Sequence, residues 1–400
     1  MTAANGGRAP ARPFAWLTPV VLRWAARGPV VPSPSMDPTN KQKELESKLA
    51  EIDADILRTI ERRAKLANEL AKHRHGTARF SPTTSGAHLE ALERAVTPPF
   101  PVSAVRPLFT AIDAACRVYE VAPRVACVGA EGDFGWMAAR AHFGQSAELV
   151  RFDSTTAALD EVARSRVEFA VVPYESFKDG PIFPTIQAIA GADLKLVGER
   201  EQAQALSLAN LSGEVAEIRK VYASPQDHAS CAMYLEAHHG DLFVHDVKSP
   251  VVASEMAAQD PAAAAILPRG FVATKEIRVA RENIGDEGEA RIRYGIVGRL
   301  PSPRSGSDAT ALLFSVHDRP GALHAILAHF KERNCNLRRI QSRPVPGEGW
   351  EYLFYVEVGG HMTDRSLVAA LEGVKREAKM LKILGSFPLQ FPEPSPASIR

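Results

Sequence analysis

Two arginines fall where a helix should be apolar. Leu45, Leu49, Ile52, Ile56, Ile60, Leu66 and Leu70 recur at intervals of three and four, and the same face continues onto Arg63 and Arg74. A guanidinium on a buried stripe is costly unless a carboxylate or an anionic ligand meets it. The spacing therefore predicts either structural ion pairs or a site for a small anion. Further along, short apolar strands end in polar groups. Residues 125–128 run into Gly129-Ala130-Glu131-Gly132-Asp133-Phe134-Gly135, residues 149–152 into Asp153-Ser154-Thr155-Thr156, and residues 169–174 into Glu175. Ser154 and Thr155 are the residue types that cap a following helix. Ligands of open α/β sheets sit at such strand ends. A third pattern lies near the C-terminus, where an alternating strand meets Asp318-Arg319-Pro320-Gly321-Ala322-Leu323 and a helix begins.

Other chemistries find no support in the residues. The Gly129–Gly132 loop lacks the Lys-Ser/Thr of a phosphate loop and the spacing of a dinucleotide fingerprint, and no HExxH, Cys pair or GxSxG occurs. No cofactor or metal is expected, and His238-His239 reads as solvated surface. With 48 basic and 47 acidic side chains, the net charge of +1 gives no basic stripe for nucleic acid. Four widely spaced cysteines read as buried thiols of a reducing, cytoplasmic compartment. Residues 1–35 carry four arginines and no acid, and their apolar run at 14–22 is interrupted by Pro19 and too short to span a bilayer. They read as a disordered tail or an upstream start codon, with a targeting segment as the alternative; no membrane contact is expected.

The periodicity organises the 400 residues into three regions. Residues 41–121 are helical, with helices at 41–74, 87–96 and 102–121, the last carrying Leu108, Ile112, Ala115 and Val118 on one face. Residues 124–299 alternate strands (125–128, 149–152, 169–175, 195–198, 205–209, 218–223, 242–247, 271–272 and 292–297) with helices, which predicts a parallel sheet. Their length suits two small lobes with a cleft between them. A linker at 300–308 leads to a βαββαβ unit at 309–390, followed by a tail at 391–400.

The helical front, LESKLAEIDADILRTIERRAKLANELAKHR, resembles the all-α chorismate mutase domain, an intertwined helical dimer. That family holds a dicarboxylate with several cations. Arg63 matches one family arginine, Arg74 stands where the family has lysine, and Glu120 keeps a polar position. Glu46 replaces another arginine, Thr84-Ser85 an Arg-Glu pair and Cys116 a serine. The resemblance thus implies a dimer but not mutase activity.

In the middle, VACVGAEGDFGWMAARAHFG, FAVVPYES, KVYASPQDHASCAMYL and NIGDEGEARIRYGIVG, in this order, resemble prephenate dehydratase. Its α/β domain has two lobes like those of periplasmic binding proteins. That resemblance implies a small carboxylic acid in the cleft and a Thr-Arg-Phe triplet whose threonine is the acid. Here the triplet is Ile292-Arg293-Tyr294, so the threonine hydroxyl is missing. Tyr294 brings a hydroxyl to the same strand face, while Arg293 is expected on the other face unless the strand bulges. Asp133 adds a negative charge, Ser176 and Ser224 stand in altered loops, and Ala290 replaces an asparagine. Ser154, Thr155, Glu175, Gln226 and Arg293 remain as cleft candidates.

The C-terminal unit resembles an ACT domain, the phenylalanine-binding module of these dehydratases. Gly321-Ala322-Leu323 matches its Gly-Ala-Leu turn, and Gln341-Ser342-Arg343-Pro344 its Glu-Ser-Arg-Pro. A phenylalanine-like effector and a homodimer or tetramer follow from that likeness. Three functions stay open: a dehydratase with an unusual site, a silent homologue that binds an aromatic amino acid, or an enzyme on another small acid.

Overall fold

The computed structural model describes residues 38–74, 86–117, 122–239, 242–271, 276–286, 288, 290–344 and 352–389. The expected tails, Thr84, Ser85 and Glu120 lie outside these residues. The chain divides into two compact units, residues 1–56 and 57–400.

Helix α1 (Pro38–His73) forms along the predicted stripe. In the N-terminal unit its exposed flank is laced by i,i+4 contacts, Lys48 to Glu44 at 2.6 Å and Gln42 to Glu46 at 2.9 Å. Among the described residues the apolar stripe stays open, since Leu45, Leu49, Ile52 and Ile56 are each about half exposed. In the larger unit follow α2 (Gly86–Ala95), a 3-10 turn (Val102–Ala104) and α3 (Val105–Cys116). The expected helix 102–121 is therefore tightened at its start, and residues 118–121 lie outside the description.

A six-stranded sheet comes next. Its strands are β1 (Arg124–Val128), β2 (Glu148–Phe152), β3 (Phe169–Ser176), β4 (Gly180–Pro181), β5 (Lys195–Ala203) and β11 (Arg291–Gly298), in the order β2-β1-β3-β11-β5 with β4 on β3. Helices α4 (Phe134–Phe143), α5 (Thr155–Ala163) and α6 (Phe183–Gly191) connect them. Between β5 and β11 the chain builds a second sheet, β10-β6-β9-β7-β8, from β6 (Leu206–Asn210), β7 (Lys220–Ala223), β8 (Phe243–Asp246), β9 (Ala263–Pro268) and β10 (Arg278–Arg281). It carries α7 (Pro225–Ala229), α8 (Ala232–His239) and α9 (Pro250–Ala258).

Both sheets are mixed, which corrects the expectation of parallel pairing. β1 runs parallel to β2 and β3, but β11 returns from the second sheet and pairs antiparallel with β3 and β5. Of the strand expected at 271–272, Phe271 is irregular and Val272 lies outside the described residues; an unforeseen strand is Ala263–Pro268, with all six residues buried. Its alanines have poor strand propensity, yet packing against α9 leaves room for little else.

The C-terminal sheet, β13-β14-β12-β15, comprises β12 (Asp308–Ser315), β13 (Leu337–Pro344), β14 (Tyr352–Gly359) and β15 (Met380–Pro388), with α10 (Ala322–Glu332) and α11 (Arg365–Glu377). Alternation splits β12 between two cores. Leu312 and Phe314 pack with Ile326, Phe330 and Val374 of its own helices. Ala311 and Leu313 join Tyr174, Leu196 and Val172 of the first sheet. The C-terminal unit is thus fused to the α/β middle by a shared apolar core.

Candidate functional site

The stripe arginine Arg63 meets a carboxylate from a packing helix. Its Nη2 donates to Asp113 on α3 at 2.9 Å, and Arg117 approaches the same buried carboxylate at 3.5 Å. Burial lowers the Arg74 pKa, with Asp113 opposing and Arg117 assisting the shift. Arg200 of β5 joins the same field: burial first, then Arg117, brings it down to about 10. Asp113, Arg117 and Arg200 were not foreseen as a group, because Arg200 on β5 stands more than eighty residues from Asp113 and Arg117 of α3 and its C-cap.

Between the two sheets lies a second polar group. Asp133 is the N-cap of α4, with its Oδ2 accepting from Ala130 N at 2.6 Å, and burial raises its pKa. The Tyr294 ring packs on the same turn, where a Cβ at Gly135 would lie 3.6 Å from it and 2.2 Å from the Val128 carbonyl. Tyr294 is buried, and Ile292 and Ile296 share its core. From the second sheet, Ser224 caps α7 by accepting from Asp227 N at 3.1 Å and donating to Asp227 Oδ2 at 2.8 Å. Burial, with the nearby Asp133 charge adding to it, pushes Asp227 up to about 6. Phe271 closes against Gly132 and stands edge-on to Trp136.

Asp227 is the residue that the sequence reading missed. Its only signal was a carboxylate three positions after a capping serine, a pattern that ordinarily marks a helix start. Of the other candidates, Ser154 caps α5 by accepting from Ala157 N at 3.2 Å, and Thr155 opens that helix. Gln226 is exposed on α7. Ser176 orders its own hairpin, accepting from Lys178 N and Asp179 N at 3.2 Å each. None of these four makes a described contact with Asp133, Asp227 or Tyr294.

Glu175, expected at the cleft, requires correction, whereas Arg293 takes the other strand face, as alternation predicts. Both are buried on the opposite face of β11. Arg293 binds Glu175 of β3, Glu199 of β5 (Nε to Oε2, 3.1 Å) and Glu357 of β14 (Nη1 to Oε1, 3.0 Å). Arg339 of β13 also binds Glu175 and reaches Glu357 at 3.3 Å. Tyr355 donates to Glu357 at 2.6 Å, and Tyr174 donates to Glu199 at 3.2 Å beneath the guanidinium. Burial alone would lower the Arg293 pKa; Tyr174, Glu199 and Glu357 outweigh it and raise it. Burial raises the Glu175 pKa against the pull of Arg293 and Arg339. The physical reason is strand alternation: a residue between Ile292 and Tyr294 must face away from them, and Glu175 on β3 pairs with it.

In the C-terminal unit, Gly321 has φ +80 at the start of α10, a conformation that disfavours any side chain. It borders a cavity of about 310 Å³ with Asp318, Arg319, Ala322, Leu323 and Phe354. Gln341, Ser342 and Arg343 do not line this cavity. Gln341 packs on Gly180 and Arg343 lies over the Phe183 ring, 5.7 Å from its centroid. Ser342 pairs in register with Phe354. Among the described residues no cluster of metal-ligating side chains occurs, and no helix is long and apolar enough to cross a membrane. The four cysteines are buried and unbridged.

Sequence profiles of known families match three segments: chorismate mutase type II over residues 45–121, prephenate dehydratase over 125–302 and the ACT domain over 310–376. The chain is 30% identical over 358 residues to a bifunctional chorismate mutase/prephenate dehydratase of Aquifex aeolicus, covering 86% of this chain and 97% of that protein. A protein of the same description from Pseudomonas aeruginosa is 28% identical over 356 residues, with coverage of 86% and 97%. Among solved structures, a prephenate dehydratase from Arthrobacter aurescens in complex with L-Phe superposes with a TM-score of 0.56 and 27% identity, covering 69% of this chain and 94% of that one.

Proposed function

The chain belongs to the bifunctional chorismate mutase/prephenate dehydratase family, and on that premise we propose a dehydratase-like role in phenylalanine biosynthesis with little or no turnover of prephenate. Its domains are 41–121, 124–299 and 309–390, and the middle one is two-lobed with its ligand between the sheets. The C-terminal domain takes phenylalanine in the cavity beside Gly321. The protein is a cytoplasmic homodimer, because the half-exposed stripe Leu45–Leu49–Ile52–Ile56 needs a second helix to cover it.

One observation supports the loss of turnover. The strand position that matches the family acid is Ile292, an aliphatic side chain packed beside Tyr294. Expelling a ring hydroxyl as CO₂ leaves requires a proton donor at that hydroxyl, and losing such a group costs about 10²- to 10³-fold. Asp133 and Asp227 add acidity where a dianion would have to sit. In the helical domain Arg63 is engaged by Asp113, and Glu46 stands where a cation would be needed, so chorismate mutase activity is lost as well.

The neighbouring carboxylates of half-buried Asp133 and buried Asp227 favour a second reading, an enzyme acting on a different small acid. Phenylpyruvate formation from prephenate tests the first reading; turnover near about one per second would overturn it. Calorimetry with phenylalanine, prephenate and chorismate then separates the readings. Binding of phenylalanine alone supports a silent sensor, and no binding of any of the three supports the altered enzyme.

A further inference from the structure

Strand β11 carries different loads on its two faces. Ile292, Tyr294 and Ile296 enter the core shared with the second sheet, while Arg293 reaches three carboxylates on three other strands. Against β3 the ladder breaks at this point. Arg293 pairs with Glu175 but Tyr294 with Pro173, leaving Tyr174 unmatched, and Pro173 has no N–H to donate. Pairing with β5 runs unbroken from Arg291 to Ile296. Main-chain pairing of β11 is therefore interrupted on the β3 side at Arg293 itself, and there the Arg293 side chain spans from β3 to β5.

We propose that Arg293 is a positioning residue, whose clamp by Glu175, Glu199 and Glu357 sets Ile292 and Tyr294 in the cleft and ties them to the C-terminal sheet. Two contacts carry the tie. Glu357 on β14 binds Arg293 directly, and Arg339 on β13 reaches it through Glu175. Alternate residues of β13 extend the same docking face, with Arg339 on Glu175, Gln341 on Gly180 and Arg343 over Phe183. A shift of β13 or β14 thus moves groups bonded to the residue between Ile292 and Tyr294. A lysine cannot replace the guanidinium, because one point charge lacks the fork that bridges several carboxylates.

The test uses the full-length protein, first without ligand. Amide hydrogen exchange is measured for wild type, Arg293→Lys and Glu357→Gln. Positioning predicts exchange at least about tenfold faster at residues 291–298 and in the 129–135 turn beside Tyr294, with α10 and α11 unchanged. Unchanged exchange at 291–298 overturns the proposal, and so does a uniform rise over the whole chain. Arg339→Lys, which leaves the Arg293 contacts in place, guards against a variant that does not fold, and the same local pattern at smaller size is expected. A second arm rests on the phenylalanine reading. In wild type, phenylalanine changes prephenate affinity in the cleft by about 5- to 150-fold, and in Glu357→Gln the factor falls to within about twofold of one. Coupling retained in that variant sinks the proposal. Failure of phenylalanine to bind at all sinks the sensing role instead, and leaves the exchange result to decide the positioning role.

Discussion

Replacing Arg293 by methionine removes the cation that three buried carboxylates share. Among the described residues the cluster holds Glu175, Glu199 and Glu357 against Arg293 and Arg339, one negative charge in excess. Arg293→Met leaves three acids facing one arginine that is itself 39% exposed. Breaking a buried pair from one side costs about 3–5 kcal/mol, and the desolvated stacking on Tyr174 adds about 2 kcal/mol. Glu357→Gln acts oppositely on the count, leaving two acids with two arginines, and should cost about 1–2 kcal/mol through weaker hydrogen bonds to Arg293 and Tyr355. Urea unfolding at pH 7 separates the two variants by their midpoints. pH supplies the sign. Burial already raises the Glu175 pKa, so the folded state holds a proton at pH values where the unfolded chain has released it. Without Arg293 that pKa rises further, and stability of the variant relative to wild type should recover as pH falls from 7 to 5. A loss below about 1 kcal/mol at pH 7, or a gap that widens on acidification, would refute the cluster's structural role.

Asp227 should make wild-type stability fall as pH rises from about 4 to about 6, because its folded pKa is raised above the unfolded value. Asp227→Asn removes that slope, worth about 3 kcal/mol at most, as checked by unfolding at pH 4, 5, 6 and 7. Ile292→Thr restores a hydroxyl on the cleft strand but leaves Asp133 and Asp227 in place. Phenylpyruvate formation should therefore stay at least about tenfold below ordinary enzyme turnover. Leu49→Glu with Ile52→Glu places carboxylates on the open stripe of α1, and light scattering should show a dimer becoming monomer; a dimer unchanged in both size and dissociation constant refutes helix pairing. Gly321→Val forces a β-branched residue to φ +80, and phenylalanine affinity measured by calorimetry should drop by about tenfold or more.

Residues whose partners lie nearby in sequence or on one element were legible. The 3.6-residue stripe gave α1 within three residues at its start, and the Gly321 turn opened α10 where the sequence placed it. Ser154 was read as a cap and is one. What the sequence could not display was direction. The return of β11 into the first sheet, which makes it antiparallel, depends on where a separate sheet releases the chain. The buried β9 escaped because alanine signals helix locally, and only the crowding of α9 against the second sheet makes it strand. Asp227 escaped for a related reason. A serine followed by an acid three places on reads as a helix cap, and its second role comes from Asp133, nearly a hundred residues away.

Arg293 joins these two kinds of case. Its neighbours Ile292 and Tyr294 occupy positions where the family has its acid and an aromatic ring, which invites the reading that all three side chains serve one ligand. Strand geometry forbids it, since a period of two sends the middle residue to the other face. No bulge on β11 itself rescues the arginine, because the unmatched residue lies on β3. The guanidinium is instead fully engaged by Glu175, Glu199 and Glu357, and a ligand carboxylate could take it only by displacing one of them from a buried network. Such an exchange leaves a buried acid unpaired, at a cost of the same order as the Arg293→Met penalty. The middle position of the triplet therefore belongs to the junction with the C-terminal sheet, and the outer two belong to the cleft.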